Sequence, residues 1–217
     1  EEQGRKGVTG GGGAMVGDPT EFWMVEMTGH RCVAQGPFKN DARSTNFYLA
    51  PELKPYETRP SGEKRQQRVQ ALLDGAGGEI SLPLMIRFTR DQQAPPDRAY
   101  RGDIAGNVCR EGYESRSISG HINVGARRHS EFLSVVWFTL GSPIATPYLP
   151  FYLGMTEVPR EFASTEAATI FGQLHLVLEG NPQYRPLVRR VWENFEFSVF
   201  SESIALERRV IALLDNG

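Results

Sequence analysis

The chain has 217 residues, of which 40% are hydrophobic and 23% are charged, so its composition is that of a globular protein rather than a disordered one. Its 24 Lys and Arg against 26 Asp and Glu give a net charge of -2, which argues against a nucleic-acid partner because such binders carry a basic surplus. The apolar runs are only strand-sized, so no membrane span is expected. Its two cysteines predict neither a disulfide framework nor a metal site, and no cofactor is expected.

The first predicted element is a β-meander. Residues 1–7 read equally well as the last turn of a helix followed by glycine stops or as a frayed tail. Runs rich in β-branched and aromatic residues follow at 14–18, 22–27 and 31–35, separated by turn residues. The glycines at 10–13 are not followed by Lys-Ser/Thr, so close packing against a neighbouring sheet explains them better than phosphate binding does.

The next part of the chain predicts a short strand, a linker and two helices. Residues 44–49 indicate the strand, and the prolines at 51, 55 and 60 indicate an extended linker. A helix is expected over 61–73, ended by Gly75, and a second short helix follows with Ser81 as its cap. The buried stripe of the second helix is predicted to be Leu84, Met85 and Phe88. Residues 92–106 are expected to form a loop.

The second half predicts strands first and helices afterwards. Residues 117–124 alternate as a half-buried strand does, residues 132–140 are continuously apolar as in a central strand, and 148–153 are extended. Helices are expected over 164–179 and 185–214. The apolar side of the last helix comprises Val188, Val191, Trp192, Phe195, Val199, Ile204 and Leu213. Because strands and helices are grouped rather than alternating, the pattern favours an α+β fold.

Considered one by one, the chemically active side chains indicate no specific site. The histidines at 30, 121, 129 and 175 include no pair at i, i+4, and the chain has no Gly-x-Ser-x-Gly elbow. Cys109 lies beside Arg110, which would favour a thiolate, although a buried inert cysteine is the commoner arrangement. The residues alone therefore predict an α+β domain and no defined reaction.

Four stretches of the chain, taken in order, carry patterns that occur together in one family. Residues 12–26 contain D-x-x-E-x-W-x-x-E, residues 44–46 place an asparagine in a short strand, and residues 116–119 lead into a later core strand. Residues 136–159 contain W-F-x-L-G-x-P and then Y-L-P-x-Y-x-G-x-x-x-V-P, the longest and most specific pattern. Together they resemble the cysteine N-terminal-nucleophile hydrolases of the dipeptidase A type, relatives of the penicillin and bile-salt acylases.

The resemblance implies a fold and a reaction. The fold would be an Ntn-hydrolase-like αββα sandwich, incomplete at its N-terminus, with residues 1–217 forming a single domain. The reaction would cleave a small peptide or amide substrate through a thioester on a cysteine that becomes the N-terminal residue, with its own α-amino group as the base. Neither Cys32 nor Cys109 fits that role, so the nucleophile is expected in an upstream segment of the same polypeptide, and the isolated chain is expected to be inactive.

Two residues are assigned catalytic roles by the resemblance. Asn46 matches the asparagine that holds the amide oxygen, and its carboxamide would donate to the oxyanion; a turn asparagine is the alternative. Arg65 matches an arginine near the nucleophile in the acylase relatives, although Arg68 competes for this role and a solvated helix face would explain either arginine.

Two other interpretations stay open at this point. The chain could be a non-catalytic binding or structural domain that retains the hydrolase scaffold, or an unrelated α+β enzyme that uses Cys109. If part of the sandwich lies outside this sequence, its apolar faces are exposed, and self-association, including a homo-oligomer, is expected. Substrate specificity and cellular compartment do not follow from the sequence.

Overall fold

A computed structural model of the chain describes residues 11–18, 20–29, 31–38, 48–56, 61–78, 80–92, 107–110 and 117–216. Over these residues the protein is a mixed α+β structure, which confirms the predicted class. It divides into two compact units, residues 1–77 and residues 78–217, and each is described by itself. The single-domain assignment stays a prediction.

The first unit contains the predicted β-meander. Strands β1 (Gly11–Gly17), β2 (Phe22–Thr28) and β3 (Arg31–Phe38) form an antiparallel sheet in the order β1-β2-β3. The predicted close packing at the glycine run is not found among the described residues, because a Cβ on Gly12 would meet nothing within 4 Å. The glycine that packing requires is Gly17, where a Cβ would lie 2.4 Å from the Cβ of Phe22.

The expected linker at the prolines is wrong for residues 51–56. Pro51–Tyr56 is a 3-10 helix, whose first turn is closed by the bond from the Leu53 N–H to the Ala50 carbonyl at 3.0 Å. A proline is compatible with the first position of a helix, and burial of Leu53, which has no exposed surface, favours the compact turn. Of the strand expected at 44–49, residues 48 and 49 are not in a strand, and 44–47 lie outside the described residues.

Helices α1 and α2 form where the capping residues predict them. Helix α1 (Ser61–Asp74) is followed by Gly75, and α2 (Leu82–Thr89) begins after Ser81, whose Oγ accepts from the Leu84 N–H at 3.4 Å. The stripe predicted for α2 omits its most buried residue, Ile86, which is 2% exposed. In the loop expected at 92–106, residues 93–106 lie outside the described residues.

The second unit contains its own antiparallel sheet. Strands β4 (Gly120–Val124), β5 (Val135–Thr139) and β6 (Leu149–Tyr152) pair in the order β4-β5-β6, so β5 is central as predicted. The apolar run at 132–140 is not strand throughout, because Phe132 lies in the short helix α3 (Ser130–Leu133). His129 precedes the first residue of α3, and its φ of 50° lies in the left-handed region.

Three helices follow the second sheet. Helices α4 (Arg160–Ala163) and α5 (Thr165–Gly180) precede a 3-10 turn, and α6 (Arg185–Asn216) is the long helix expected at the end of the chain. Its predicted apolar face is wrong in part. Four of those residues are largely exposed, namely Val191, Phe195, Ile204 and Leu213. The fully buried positions are instead polar, namely Arg185, Glu196 and Ser203.

The core of the second unit lies between its sheet and helices α2 and α6. Its fully buried members are Ile86, Ile122, Val135, Trp137 and Tyr148. Phe200 of α6 contacts Trp137 edge to face, with ring centroids 4.8 Å apart. This packing fixes one side of α6 against the sheet, and Glu196 on that side accepts a hydrogen bond from the Tyr148 N–H in the loop that joins β5 and β6.

Candidate functional site

The asparagine assigned to the oxyanion, Asn46, lies outside the described residues. The described chain resumes two residues later, at Tyr48, and continues through the 3-10 helix. Residues 48–56 make contacts with β2 and β3.

The main contact to this segment is made by Glu26 of β2. Its side chain is buried, with 1% of the residue exposed. Oε1 accepts a hydrogen bond from the Leu49 N–H at 2.8 Å, and Oε2 accepts one from the Ala50 N–H at 2.7 Å. The Gln35 Nε2 of β3 donates to Oε2 at 3.4 Å. Burying a carboxylate is costly, and these charge-assisted hydrogen bonds offset the cost.

Two aromatic side chains attach the same segment to the meander. The Tyr48 hydroxyl donates to the Met27 carbonyl at 3.3 Å. The Arg31 guanidinium lies 5.1 Å from the centroid of the Tyr56 ring, within the range of a cation–π contact. Together with the buried Leu53, these contacts hold residues 48–56 against β2 and β3.

The first half of the hydrolase-like pattern in residues 12–26 forms a tight turn. The Asp18 Oδ1 accepts from the Thr20 hydroxyl at 2.6 Å, the Thr20 N–H at 2.7 Å and the Glu21 N–H at 3.0 Å. The Thr20 hydroxyl and then the two N–H groups lower the pKa of Asp18, since each stabilises the carboxylate. The two acidic ends of the pattern thus have different roles, because Asp18 shapes a hairpin turn and Glu26 is buried.

The second assigned residue, Arg65, lies in the second turn of α1 and is half-buried, as is Arg68 one turn later. Both make interactions within the fold. Because Asn46 lies outside the described residues, its relation to Arg65 stays a prediction, and so does the choice between the two arginines.

The second unit has a buried ion pair that sequence reasoning missed. Arg90, just after α2, and Glu196 of α6 are each 2% exposed, and they form two hydrogen bonds of 2.9 and 2.6 Å. Arg90 also donates to the carbonyls of Pro143 and Thr146, at 2.7 and 2.9 Å. A planar guanidinium suits such paired contacts. The pair cross-links α2, α6 and the loop between β5 and β6.

Tyr148 completes this polar cluster. Its N–H donates to the Glu196 Oε1 at 2.7 Å, and its hydroxyl donates to the Thr89 Oγ1 at 2.7 Å. Burial raises the pKa of Tyr148 to about 12, because the phenolate would lose its hydration. A Cβ on Gly120 would lie 2.3 Å from this hydroxyl, so a glycine is needed there. The cluster is a packed structural network with a neutral phenol rather than an activated one.

The two cysteines lie in different environments. Cys109 is 1% exposed, and its Sγ lies 3.7 Å from the Ser142 Oγ. Cys32 is exposed on β3. A reactive thiol needs access and stabilisation of the thiolate. The burial of Cys109 therefore favours the inert alternative over the activated one.

Three of the histidines are described, and His30 lies outside the described residues. His175 is buried on α5, with its Nε2 3.5 Å from the Glu179 Oε1. His129 Nε2 lies 2.9 Å from the Asp215 Oδ1, and Arg128 pairs with the other oxygen of Asp215. The His129 hydrogen bond is the main cause of the lowered pKa of Asp215. These contacts attach the end of α6 to the loop before α3, and His121 is exposed on β4.

Glu26 is the last residue of the hydrolase-like pattern in residues 12–26, but the sequence alone predicted no role for it. The available signal was its position, because Met24, Glu26 and Thr28 alternate on the buried side of β2. Glu196 likewise lies at helical spacing between Trp192 and Phe200, on the side of α6 that faces the sheet. An acidic residue on the buried face of a strand or helix indicates that it has a buried hydrogen-bonding partner. Local sequence patterns do not identify this partner, because it lies far away along the chain.

The described residues contain no group of three or more His, Cys, Asp or Glu side chains that could hold a metal ion. Among the helices described, none combines the length and apolar character that a membrane crossing requires. No protein-family model, curated protein or solved structure matches this chain. Its function is therefore inferred from its own residues.

Proposed function

We propose that this chain is part of a cysteine amidohydrolase or dipeptidase of the N-terminal-nucleophile type, with an αββα sandwich as its scaffold. The substrate is a small peptide or amide, and the reaction passes through a thioester. Asn46 holds the oxygen of the scissile carbonyl, and Arg65 lies near the nucleophile.

The observation that carries this proposal is the ordered series of four hydrolase-like stretches. The longest, residues 136–159, combines Trp, Gly, Pro and Tyr at spacings that no simple strand or helix period produces. It includes β5, β6 and the loop between them, and residues 12–26 include the β1–β2 hairpin. Two of the four stretches therefore include sheet elements, which is compatible with such a scaffold; residues 44–46 lie outside the described residues, and residues 117–119 come just before β4 and are not in a strand.

The proposed reaction is acyl transfer to water. The cysteine sulfur attacks the amide carbon, the α-amino group takes the thiol proton, and the developing oxyanion accepts a hydrogen bond from the Asn46 carboxamide. The C–N bond breaks as the α-amino group returns the proton to the leaving amine. Water then cleaves the thioester, which releases the acid and regenerates the thiol.

The proposed nucleophile is a cysteine from an upstream segment of the same polypeptide. Cys32 and Cys109 both lie in the interior of the chain, where their backbone nitrogens are in peptide bonds, so neither has a free α-amino group beside its thiol. Both cysteines are therefore expected to be dispensable for the reaction.

The test uses the product of the complete reading frame that encodes this chain, assayed with a set of dipeptides. We expect N46A to lower kcat by about 100- to 1,000-fold, the effect of removing one oxyanion donor. A variant with both C32S and C109S serves as the matched control and should keep its activity. Both variants must first show the circular dichroism and thermal midpoint of the parent.

Four outcomes would contradict the proposal in whole or in part. A reading frame without a further cysteine, or a folded product without amidase activity, would favour the non-catalytic binding or structural domain. Loss of activity on changing Cys109 alone would favour the unrelated enzyme. Unchanged kcat in N46A would remove Asn46 from the site.

A further inference from the structure

Adjacent arginines occur at three places in the chain, 127–128, 189–190 and 208–209. Only the first pair is followed two residues later by a hydroxyl side chain, that of Ser130. The other two pairs lie inside α6, whereas residues 125–129 are neither helix nor strand and connect β4 to α3. The proposed hydrolase reaction gives this Arg-Arg-x-Ser segment no role.

The serine and both arginines of this segment are accessible. Arg127 and Ser130 are exposed, and 58% of the Arg128 side chain is exposed. Ser130 is the first residue of α3, a helix of four residues in which the Ser134 N–H donates to the Ser130 carbonyl at 3.2 Å. A single helical turn adds little stability by itself, so local opening presents Ser130 in an extended segment.

The same segment is bonded to the end of α6. His129 Nε2 lies 2.9 Å from the Asp215 Oδ1, and Arg128 pairs with the Asp215 Oδ2. Asp215 is the last residue but one of α6, where the helix dipole disfavours negative charge. The arginine charge and the histidine hydrogen bond offset this unfavourable effect. The end of α6 therefore depends on the two residues that come directly before Ser130.

We propose that Ser130 is a phosphorylation site for a serine kinase that binds arginines three and two residues before its acceptor, and that the phosphate releases the end of α6. Carboxylates of the kinase would bind the two arginines, since the charge pattern around the acceptor determines which serines such enzymes accept. The Ser130 Oγ bonds to the γ-phosphorus of ATP, the bond from that phosphorus to ADP breaks, and the hydroxyl proton passes to the base of the kinase. This inference is independent of the proposed function.

The release of α6 is expected on grounds of charge. A phosphoserine carries about −1.5 to −2 charge at pH 7, and neighbouring Cα atoms are about 3.8 Å apart, so the phosphate lies close to His129 and Arg128. It carries more negative charge than Asp215 does and competes with it for these two side chains. It also repels the Asp215 carboxylate and the negative end of the α6 dipole.

The first experiment treats the folded 217-residue chain with ATP and the catalytic subunit of the cyclic-AMP-dependent protein kinase, and locates the phosphate by mass spectrometry. We expect one phosphate, on Ser130, and none in S130A. R127A should lower kcat/KM for phosphorylation at least about 10-fold, because one charged contact with the kinase is lost. S201A removes an exposed serine of α6 that no arginine closely precedes, and this matched control should be phosphorylated like the parent.

The second experiment measures hydrogen exchange in the phosphorylated and unphosphorylated chain. Phosphorylation should speed exchange at the amides of residues 212–216 at least about 3-fold, while the amides of residues 194–200, beside the sheet, stay protected. D215A should cause the same acceleration without phosphate, because it removes both contacts. Phosphorylation of D215A should then add little.

Each part of the proposal has its own contrary result. No phosphate on Ser130 of the folded chain, with a standard peptide substrate proving the kinase active, overturns the site. Phosphorylation of R127A as fast as that of the parent overturns recognition of the arginine pair. Complete phosphorylation of Ser130 that leaves exchange at residues 212–216 unchanged overturns the release of α6.

Discussion

At the residue scale, each unit is organised around a buried carboxylate. Glu26 binds two backbone amides, and Glu196 binds a guanidinium and the Tyr148 N–H. In both cases a charge removed from water is offset by several directed hydrogen bonds. We therefore expect the free energy of unfolding to fall when either carboxylate loses its partner.

Replacing Arg90 with Met tests this expectation in the second unit. It leaves the Glu196 carboxylate buried without its guanidinium, and we expect the free energy of unfolding to fall by about 3–5 kcal/mol. The measurement is urea unfolding followed by circular dichroism. Arg128→Ala, which removes the exposed partner of Asp215, is the control and should change the free energy of unfolding far less, because solvent screens an exposed ion pair. Equal effects in the two variants would contradict the structural role of the Arg90 pair.

Two tyrosines, the buried Tyr148 and the half-buried Tyr152, predict how the stability of the protein changes in alkali. Burial raises the pKa of Tyr148 and of Tyr152 to about 12 each, against about 10 in an unfolded chain. The unfolded chain therefore loses these protons first, so stability is intact below about pH 10 and falls as the pH rises toward 12.

This prediction can be checked by following tyrosinate absorbance during an alkaline titration of the folded protein. We expect a late phase near pH 12 that loses amplitude in Y148F and in Y152F. A parent protein whose tyrosines all ionise together near pH 10 while still folded would contradict the raised pKa values of Tyr148 and Tyr152.

At the residue scale, sequence patterns located the side chains but not their partners. The alternation along β2 is enough to place Glu26 inward. Its partners, Leu49 and Ala50, lie at the end of the strand expected at 44–49 and just before the expected linker, and neither prediction indicates a contact with β2. Arg90 and Glu196 are separated by 106 positions, and no local pattern links them.

At the element scale, the caps explain why most helix ends were predictable. Ser81 and Ser164 accept hydrogen bonds from the first turns of α2 and α5. The 3-10 helix at 51–56 was missed because its formation depends on burial of Leu53 in the tertiary structure. The prolines exclude some backbone conformations of this segment. Burial of Leu53 determines which of the remaining conformations forms.

The buried side of helix α6 was likewise not predictable from local sequence. Its side against the sheet carries Glu196 and Ser203, whereas large apolar side chains project outward. The largely exposed apolar residues of α6 include Leu187, Val191, Phe197, Ile204 and Leu213. A helix with apolar residues all round does not reveal its buried side by hydrophobicity alone.

The exposed side of α6 predicts self-association of the chain. Phe197 is 73% exposed and Leu213 is 74% exposed, and apolar side chains in contact with water favour association. Replacing both with Glu, a good helix former, should lower the average mass measured by sedimentation toward that of a monomer. A parent chain that is already monomeric at high concentration would contradict this prediction.

At the scale of the whole molecule, grouped strands and helices were sufficient to predict the α+β class. The division into two compact units was not predicted, although the glycine-rich residues 75–78 lie at the boundary, because Gly75 was interpreted only as the stop signal of α1. The near-neutral charge likewise describes the chain as a whole and does not identify a site.

The proposed chemistry, in turn, depends on one atom that this sequence does not contain, the sulfur of an N-terminal cysteine. The most direct test is to treat the product of the complete reading frame with a dipeptide chloromethyl ketone and to locate the label by mass spectrometry. We expect one label, on an N-terminal cysteine outside residues 1–217, together with complete loss of dipeptide hydrolysis. A label on Cys109 or Cys32 that abolishes activity, or full activity after complete labelling, would contradict it.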